Sequence, residues 1–187
     1  MATRPNKTIT PWQLYEEWLS GLGPEERHFK EGDFMLEDLK YSAHIWNLRE
    51  EITRNLKDNA PMYVLYPEVD ASRSLAGLSG LYTGYKDLLE TVITQEVSTS
   101  QFLGSYAGVI SIVLDNVRKS EEPGALYHGS ATLSFYIKNA TTEDSYNRPP
   151  IIGYQKWFKK LFKSSNRTEG PHKTIIQTFD WTEIIDF

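Results

Sequence analysis

The chain contains no cysteine among its 187 residues. This excludes disulfides, thiolate metal ligands and cysteine nucleophiles, and it is typical of proteins in a reducing compartment. The sequence also lacks a long hydrophobic run, because the longest, Phe102–Leu114, includes serines and glycines and is shorter than the about 20 residues of a membrane-spanning helix. No apolar segment follows the polar N-terminus, so no secretory signal is predicted. We expect an intracellular protein, not a secreted one, and any contact with a membrane to be at its surface.

Sequence features of an enzyme are also missing. The histidines are scattered, and none has another at the spacing of helical metal ligands: His28, His44, His128 and His172. The sequence has no glycine-rich loop of phosphate-binding pattern. Adjacent acidic pairs such as Glu16 and Glu17 would diverge on a helix, so we interpret them as solvated charges. We therefore predict a non-enzymatic protein without metal or cofactor sites.

The sequence does contain enough apolar residues for a core, and its basic residues are concentrated in one stretch of the chain. Hydrophobic residues make up 40% of the sequence and aromatic residues 13%, which is typical of a folded protein. Residues 148–173 contain seven basic residues and one acidic residue, a charge of +6. Because the whole chain carries −5, the remaining residues must sum to −11. Such segregation predicts a surface for an anionic partner, either a membrane or a phosphate polymer.

Most of this positive charge lies in residues 156–163, which we call the lysine–aromatic segment. The residues that we predict to contact a membrane or nucleocapsid are Lys156, Trp157, Phe158, Lys159, Lys160, Phe162 and Lys163. On a membrane the rings would enter the headgroup region, and each lysine would contribute about 1 kcal/mol on an anionic leaflet. Two alternatives stay open. The segment could be an amphipathic helix that packs on a sheet with its lysines in water, or it could bind nucleic acid.

The N-terminal region predicts a capped helix that starts at Thr10-Pro11. Threonine caps, proline suits the first helical position, and Gln13 completes a capping box. The helix has an aromatic face that we predict to mediate self-association: Trp12, Tyr15, Trp18 and Leu19. Alternatively, this face docks onto the protein's own core. We divide the chain into an N-terminal helix or arm with its connector, residues 1–32, and a single domain, residues 33–187.

Periodicity predicts two helices in this domain, near Ser72–Val97 and Ser100–Arg118, because both stretches carry broad apolar stripes at helical spacing. Alternation predicts a strand over Tyr127–Asn139, and a last strand follows over Thr174–Thr182. Short apolar Met62–Tyr66 is predicted to be extended, whereas residues 41–54 fit both a helix and a strand. We predict an α+β fold in which an antiparallel sheet packs against two or more helices.

Several short motifs occur in an order that resembles the matrix proteins of rhabdoviruses, over roughly residues 39–187. They are Leu39–Tyr41, Thr53–Asn55, Pro61–Tyr63, Tyr66–Val69, Ala125–Leu133 and the acidic loop Thr141–Asp144. The first two are similar to that family's first long strand, so the resemblance favours a strand over Tyr41–Arg54. The chain departs from the family in its acidic N-terminus. It also lacks a Pro-Pro-x-Tyr budding motif, which plant-infecting members often lack as well.

The resemblance implies a structural protein of the virion that self-associates in the host cytoplasm. It implies a link between viral nucleoprotein and the inner face of a membrane or virion envelope, formed during assembly and budding. The implied partners are further copies of the chain, an anionic membrane surface and the nucleoprotein, with direct nucleic-acid binding as the lesser expectation. The alternative is an intracellular adaptor or assembly factor that acts through protein–protein contacts.

Overall fold

The computed structural model describes residues 4–74, 98–121, 126–142 and 168–187. Within these residues the chain forms four helices and five strands, which confirms the predicted α+β class. The helices are α1 (Pro11–Ser20), α2 (Phe34–Lys40), α3 (Ala43–Leu65) and α4 (Thr99–Leu103). The strands are β1 (Glu26–Phe29), β2 (Glu68–Asp70), β3 (Ala107–Lys119), β4 (Tyr127–Thr141) and β5 (Ile175–Asp186).

All five strands belong to one sheet, in the order β1-β5-β4-β3-β2. Strands β2 to β5 pair in antiparallel fashion, as predicted, whereas β1 runs parallel to β5. Strand β1 comes from the segment that was expected to be a connector. Its side chains alternate between exposed and buried, with Arg27 and Phe29 inside, and Phe29 stacks on Phe179 of β5 at a ring distance of 4.8 Å. Residues 26–29 are therefore part of the same sheet as the C-terminal strand.

The strand predicted over Tyr127–Asn139 is confirmed as β4, and its alternation places a row of apolar side chains inside. Leu133, Phe135 and Ile137 are buried, while the side chains between them face water. The last strand extends beyond Thr182 to Asp186, because β5 pairs with β4 along its length. Helix α3 packs against β3 and β4, and its Arg49 reaches β5, where the guanidinium group donates to both carboxylate oxygens of Glu183, with Nη2 2.9 Å from Oε2.

The helix predicted over Ser100–Arg118 is wrong, because only Thr99–Leu103 is helical and β3 follows from Ala107. Gly104 ends the helix with a positive φ of 63°, a conformation that favours glycine. Beyond it the chain is rich in β-branched residues, which suit strands, and β3 finds a long antiparallel partner in β4. Helical periodicity misled here since a short apolar run fits a buried strand equally well.

The strand chosen for Tyr41–Arg54 is also wrong, because Ala43–Leu65 forms α3. The Ser42 hydroxyl caps this helix, and its buried residues follow helical spacing: Ile45, Ile52, Leu56, Ala60 and Tyr63. The extended conformation predicted for Met62–Tyr66 is wrong for a related reason. Backbone angles at Asn59 are non-helical, so Pro61 falls in the first turn after a kink, where its missing N–H is tolerated. Most of the helix predicted near Ser72–Val97 lies outside the described residues.

Candidate interaction surfaces

Helix α1 has the predicted capping box at Thr10 and ends at Gly21, and its aromatic face packs inward. Trp18 is fully buried and Tyr15 nearly so, in a cluster with Ile175 of β5. Burial raises the pKa of the Tyr15 phenol, as expected of a side chain withdrawn from water. Leu19 is half-buried beside them, whereas Trp12 is 56% exposed. In this structure the helix docks onto the chain's own core, and self-association through its four residues stays a prediction.

A buried ion pair holds α1 against β1. Arg27 Nη2 lies 2.6 Å from Glu17 Oε2, and both side chains are withdrawn from water. The same guanidinium group donates to the Asn6 side chain and to the backbone carbonyl of Arg4. Two charges taken out of water require such additional hydrogen bonds, because desolvation is costly. This network joins the N-terminal segment, α1 and β1 into one unit.

The lysine–aromatic segment lies outside the described residues, so its contact with a membrane or nucleocapsid stays a prediction. Among the helices that the structure describes, none is both long enough and apolar enough to cross a membrane.

Within the described residues, the longest run of neighbouring exposed apolar side chains is at the end of α3. Met62, Val64, Leu65 and Tyr66, which we call the α3 end, expose 40%, 71%, 74% and 69% of their surface. They belong to a run from Ala60 to Pro67 that contains no charged residue. A large patch of exposed apolar side chains is uncommon on a monomer unless it binds a partner. The α3 end is therefore the strongest candidate for an interaction surface in the described part of the chain.

The position of the α3 end follows from the kink and from the short edge strand beside it. Before Asn59 the helix buries Ile45, Ile52 and Leu56, but after the kink only Ala60 and Tyr63 are buried. The chain then enters β2, where Pro67 O accepts a hydrogen bond from Ile112 N at 2.7 Å. The sequence signal for this surface was the uncharged run itself. We missed it because periodicity does not show which apolar residues find a partner.

The α3 end is flanked by acidic residues. Asp58 precedes it, Glu68 and Asp70 follow it on β2, and all three are exposed. Hydrogen bonds from the side chain and backbone of Ser72 lower the pKa of the Asp70 carboxyl, so this group is ionised at neutral pH. Lys57 is the only basic residue between Arg54 and Arg73 in the sequence, and it is half-buried. The surface combines an apolar centre with a negative margin.

The outer face of the sheet offers a second exposed surface, made mostly of hydroxyl side chains. Ser111, Ser134 and Thr182 are aligned across three strands, and in the next row Val113 and Ile184 flank a threonine. Val113 is 64% exposed and Ile184 74%. An antiparallel sheet with one wet face commonly presents such residues, so this face indicates no particular partner.

A hydroxyl, an imidazole and a carboxylate meet where β1 joins β5. His28 Nδ1 lies 2.8 Å from Thr178 Oγ1, and its Nε2 lies 2.8 Å from Asp180 Oδ1. This order of groups occurs in nucleophilic catalysis. Here, however, Thr178 is 4% exposed, so its hydroxyl is closed to a substrate. The sequence could not show the trio, because the parallel pairing of β1 with β5 joins residues far apart in the chain.

Two further features of the described residues do not form a functional site. A hollow of about 420 Å³ is lined by Arg73, Lys138, Asn139 and several serines, but the Arg73 guanidinium group is buried and donates to the backbone carbonyl of Ser100 at 3.1 Å. This hydrogen bond from Arg73 holds α4 in place. In the described ranges, no group of three or more histidine, aspartate or glutamate side chains could hold a metal ion.

No protein-family model, curated protein or solved structure matches the chain. The resemblance to rhabdovirus matrix proteins rests on the short motifs alone, and function has to be argued from the surfaces described above.

Proposed function

We propose that this chain is a non-enzymatic structural protein of matrix type. It self-associates and links nucleoprotein to the inner face of a membrane or virion envelope during assembly and budding, in the host cytoplasm. The observation that carries the proposal is the α3 end, where Met62, Val64, Leu65 and Tyr66 leave apolar surface in water. Exposed apolar side chains grouped in this way mark an interaction surface, which a self-associating protein requires.

The size of the apolar surface fits a weak contact that many copies make together. Full burial of one side chain such as leucine or valine contributes about 1.5–3 kcal/mol relative to leaving it exposed. Part of the gain from four side chains is offset by the loss of freedom on association. We therefore expect a contact that is weak between two copies and firm in an array, because multivalency multiplies it.

The charge pattern supports the membrane part of the proposal. Four lysines of the lysine–aromatic segment would together contribute about 4 kcal/mol on an anionic leaflet. That is a reversible interaction for one copy. The aromatic residues Trp157, Phe158 and Phe162 would add apolar contact in the headgroup region.

Two measurements test the proposal. Sedimentation velocity over a concentration series is expected to show oligomers that grow with concentration. Flotation with vesicles of phosphatidylserine and phosphatidylcholine is expected to carry the protein upward at low salt. The variant Lys156→Glu/Lys159→Glu/Lys160→Glu/Lys163→Glu should stay at the bottom of the gradient. A folded, concentrated wild type that is monomeric and does not float would disprove the matrix-type role.

The alternative is an intracellular adaptor or assembly factor. It is favoured by the acidic margin of the α3 end, since Asp58, Glu68 and Asp70 suit a basic protein partner. In that case the lysine–aromatic segment would pack in the core, and the wild type would remain a monomer at high concentration.

A further inference from the structure

We infer that the α3 end is the docking site for the lysine–aromatic segment of a second copy of this chain. The inference rests on the proposed self-association and names the two surfaces that would meet. One is the apolar α3 end with its acidic flanks. The other is known by its sequence, residues 156–163, which combines lysines with aromatic side chains.

The negative margin disfavours a symmetric dimer through two α3 ends. If two α3 ends met across a two-fold axis, Glu68 and Asp70 of each copy would face like charges, which is unfavourable at a desolvated contact. The partner surface must instead be apolar in the middle and basic around it. The chain as a whole carries −5, and residues 148–173 carry +6, so its positive charge is concentrated there.

The acidic residues are arranged to receive such a partner. Glu68 and Asp70 lie two positions apart on β2, so their side chains point to the same face of the strand, about 7 Å apart. Val69 between them points to the opposite face and is half-buried. Because β2 is the outer strand of the sheet, these carboxylates are open to a neighbouring molecule. Val69 pairs with the buried Ile110, so Glu68 and Asp70 lie on the outer face of the sheet, and β2 follows Leu65 after only two residues. Lysine side chains of the segment would pair with these carboxylates at the sheet edge, while its aromatic side chains contact the α3 end.

This contact joins different surfaces of successive copies, so each copy offers one free α3 end and one free segment. Head-to-tail contacts of this type produce open chains unless the rotation between subunits closes a ring. Because a segment bound to a neighbour is not available to lipid, the contact also predicts competition. Anionic vesicles are expected to shorten the oligomers.

The test uses sedimentation velocity of the full chain with two reversals of charge. Glu68→Lys/Asp70→Lys and Lys159→Glu/Lys160→Glu are each expected to weaken self-association by at least about tenfold, the factor that 1.4 kcal/mol represents. An equimolar mixture of the two variants is expected to form oligomers in which the variants alternate, since the segment of each variant is opposite in charge to the α3 end of the other. A protein with all four changes should regain concentration-dependent oligomers.

The matched control is Glu50→Lys/Glu51→Lys. It makes the same change in net charge at two exposed acidic residues of α3 that lie about 20 Å along the helix from the α3 end. This variant should associate like the wild type. Circular dichroism and thermal unfolding check that all variants are folded.

The outcomes separate the docking contact from the proposed function. A monomeric wild type would overturn both. If the wild type associates but the reversals have no more effect than the control, the docking contact is wrong and self-association stands. Weakening without recovery in the mixture and in the fourfold variant would also overturn the contact, since it would show that the two surfaces do not meet. Oligomers that persist when the protein floats with anionic vesicles would contradict the competition.

Discussion

Helix α1 and the α3 end both present apolar and aromatic side chains, yet they differ in what covers them. In α1, Trp18 is fully buried against β5, and a buried ion pair holds the helix in place. At the α3 end, Val64 and Leu65 are more than 70% exposed, and the charges nearby are open to water. An apolar stretch of sequence thus predicts a surface that is stabilised by burial, but it does not predict whether the covering partner lies in the same chain. This difference is the reason that we propose the α3 end as the self-association surface.

The largest effect is expected from Trp18→Ala. Removing a fully buried tryptophan costs about 3–5 kcal/mol of the free energy of unfolding, because the cavity is added to the lost burial. Trp12→Ala is the matched control on the same helix, and it should change stability by about 0.5 kcal/mol or less. Urea denaturation followed by circular dichroism measures both. Equal losses would mean that α1 is not docked as described.

A slightly smaller effect is expected from Glu17→Gln. Arg27 would remain buried without its counter-charge, which costs about 3 kcal/mol or more of stability. The neighbouring Glu16→Gln serves as the control, since its ion pair with Arg4 is partly exposed and contributes about 0–1 kcal/mol. The two variants should be compared by chemical denaturation at neutral pH. A Glu17→Gln protein as stable as Glu16→Gln would contradict the buried network.

At the α3 end the expectation is reversed, so that assembly changes and stability does not. Val64→Asp/Leu65→Asp places two charges on side chains already in water, so the free energy of unfolding should change by about 1 kcal/mol or less. Self-association should fall by at least about tenfold in sedimentation velocity. Val113→Asp/Ile184→Asp on the outer sheet face is the control and should associate normally. An effect of equal size in the control would move the interface to the sheet.

The smallest effect is expected from Ser72→Ala. Ser72 lowers the pKa of Asp70 through hydrogen bonds, so a pKa closer to the ordinary value should be measured in the variant by NMR titration. A carboxyl whose folded pKa lies below its unfolded pKa stabilises the fold above the unfolded pKa, and this contribution is lost as pH falls through the folded pKa. The group is exposed, so the change in acid stability should be slight. An unchanged pKa in the variant would disprove the assignment.

Sequence reasoning succeeded where a local pattern was long or chemically specific. Alternation over Tyr127–Asn139 identified β4 and its inner face, and the Thr10 capping box located the start of α1. Sequence reasoning failed where the observed element depends on pairing with a strand that is far away in the chain. Strand β3 was taken for a helix because its pairing with β4 is not visible in its own residues, and β1 escaped because four residues carry too little pattern.

Only one of the two surfaces of the proposed contact could be predicted from the sequence. The concentration of positive charge in residues 148–173 is fixed by composition and needs no structure to be seen. The α3 end was misjudged, because Pro61 and Pro67 indicated an extended segment and only the kink at Asn59 made a helix possible. Its exposure depends on where the sheet stops, which is set by the three residues of β2.

The sequence by itself therefore determined the absence of thiol chemistry, the capped N-terminal helix, the alternating strand and the segregation of charge. These properties depend on residue type and on neighbours within a few positions. Tertiary structure alone decided that Trp18 is covered and Leu65 is not, and that His28 meets Asp180. Burial and long-range pairing are set by which surfaces the whole chain brings together, since the hydrophobic effect acts on area removed from water and has no direction along the sequence.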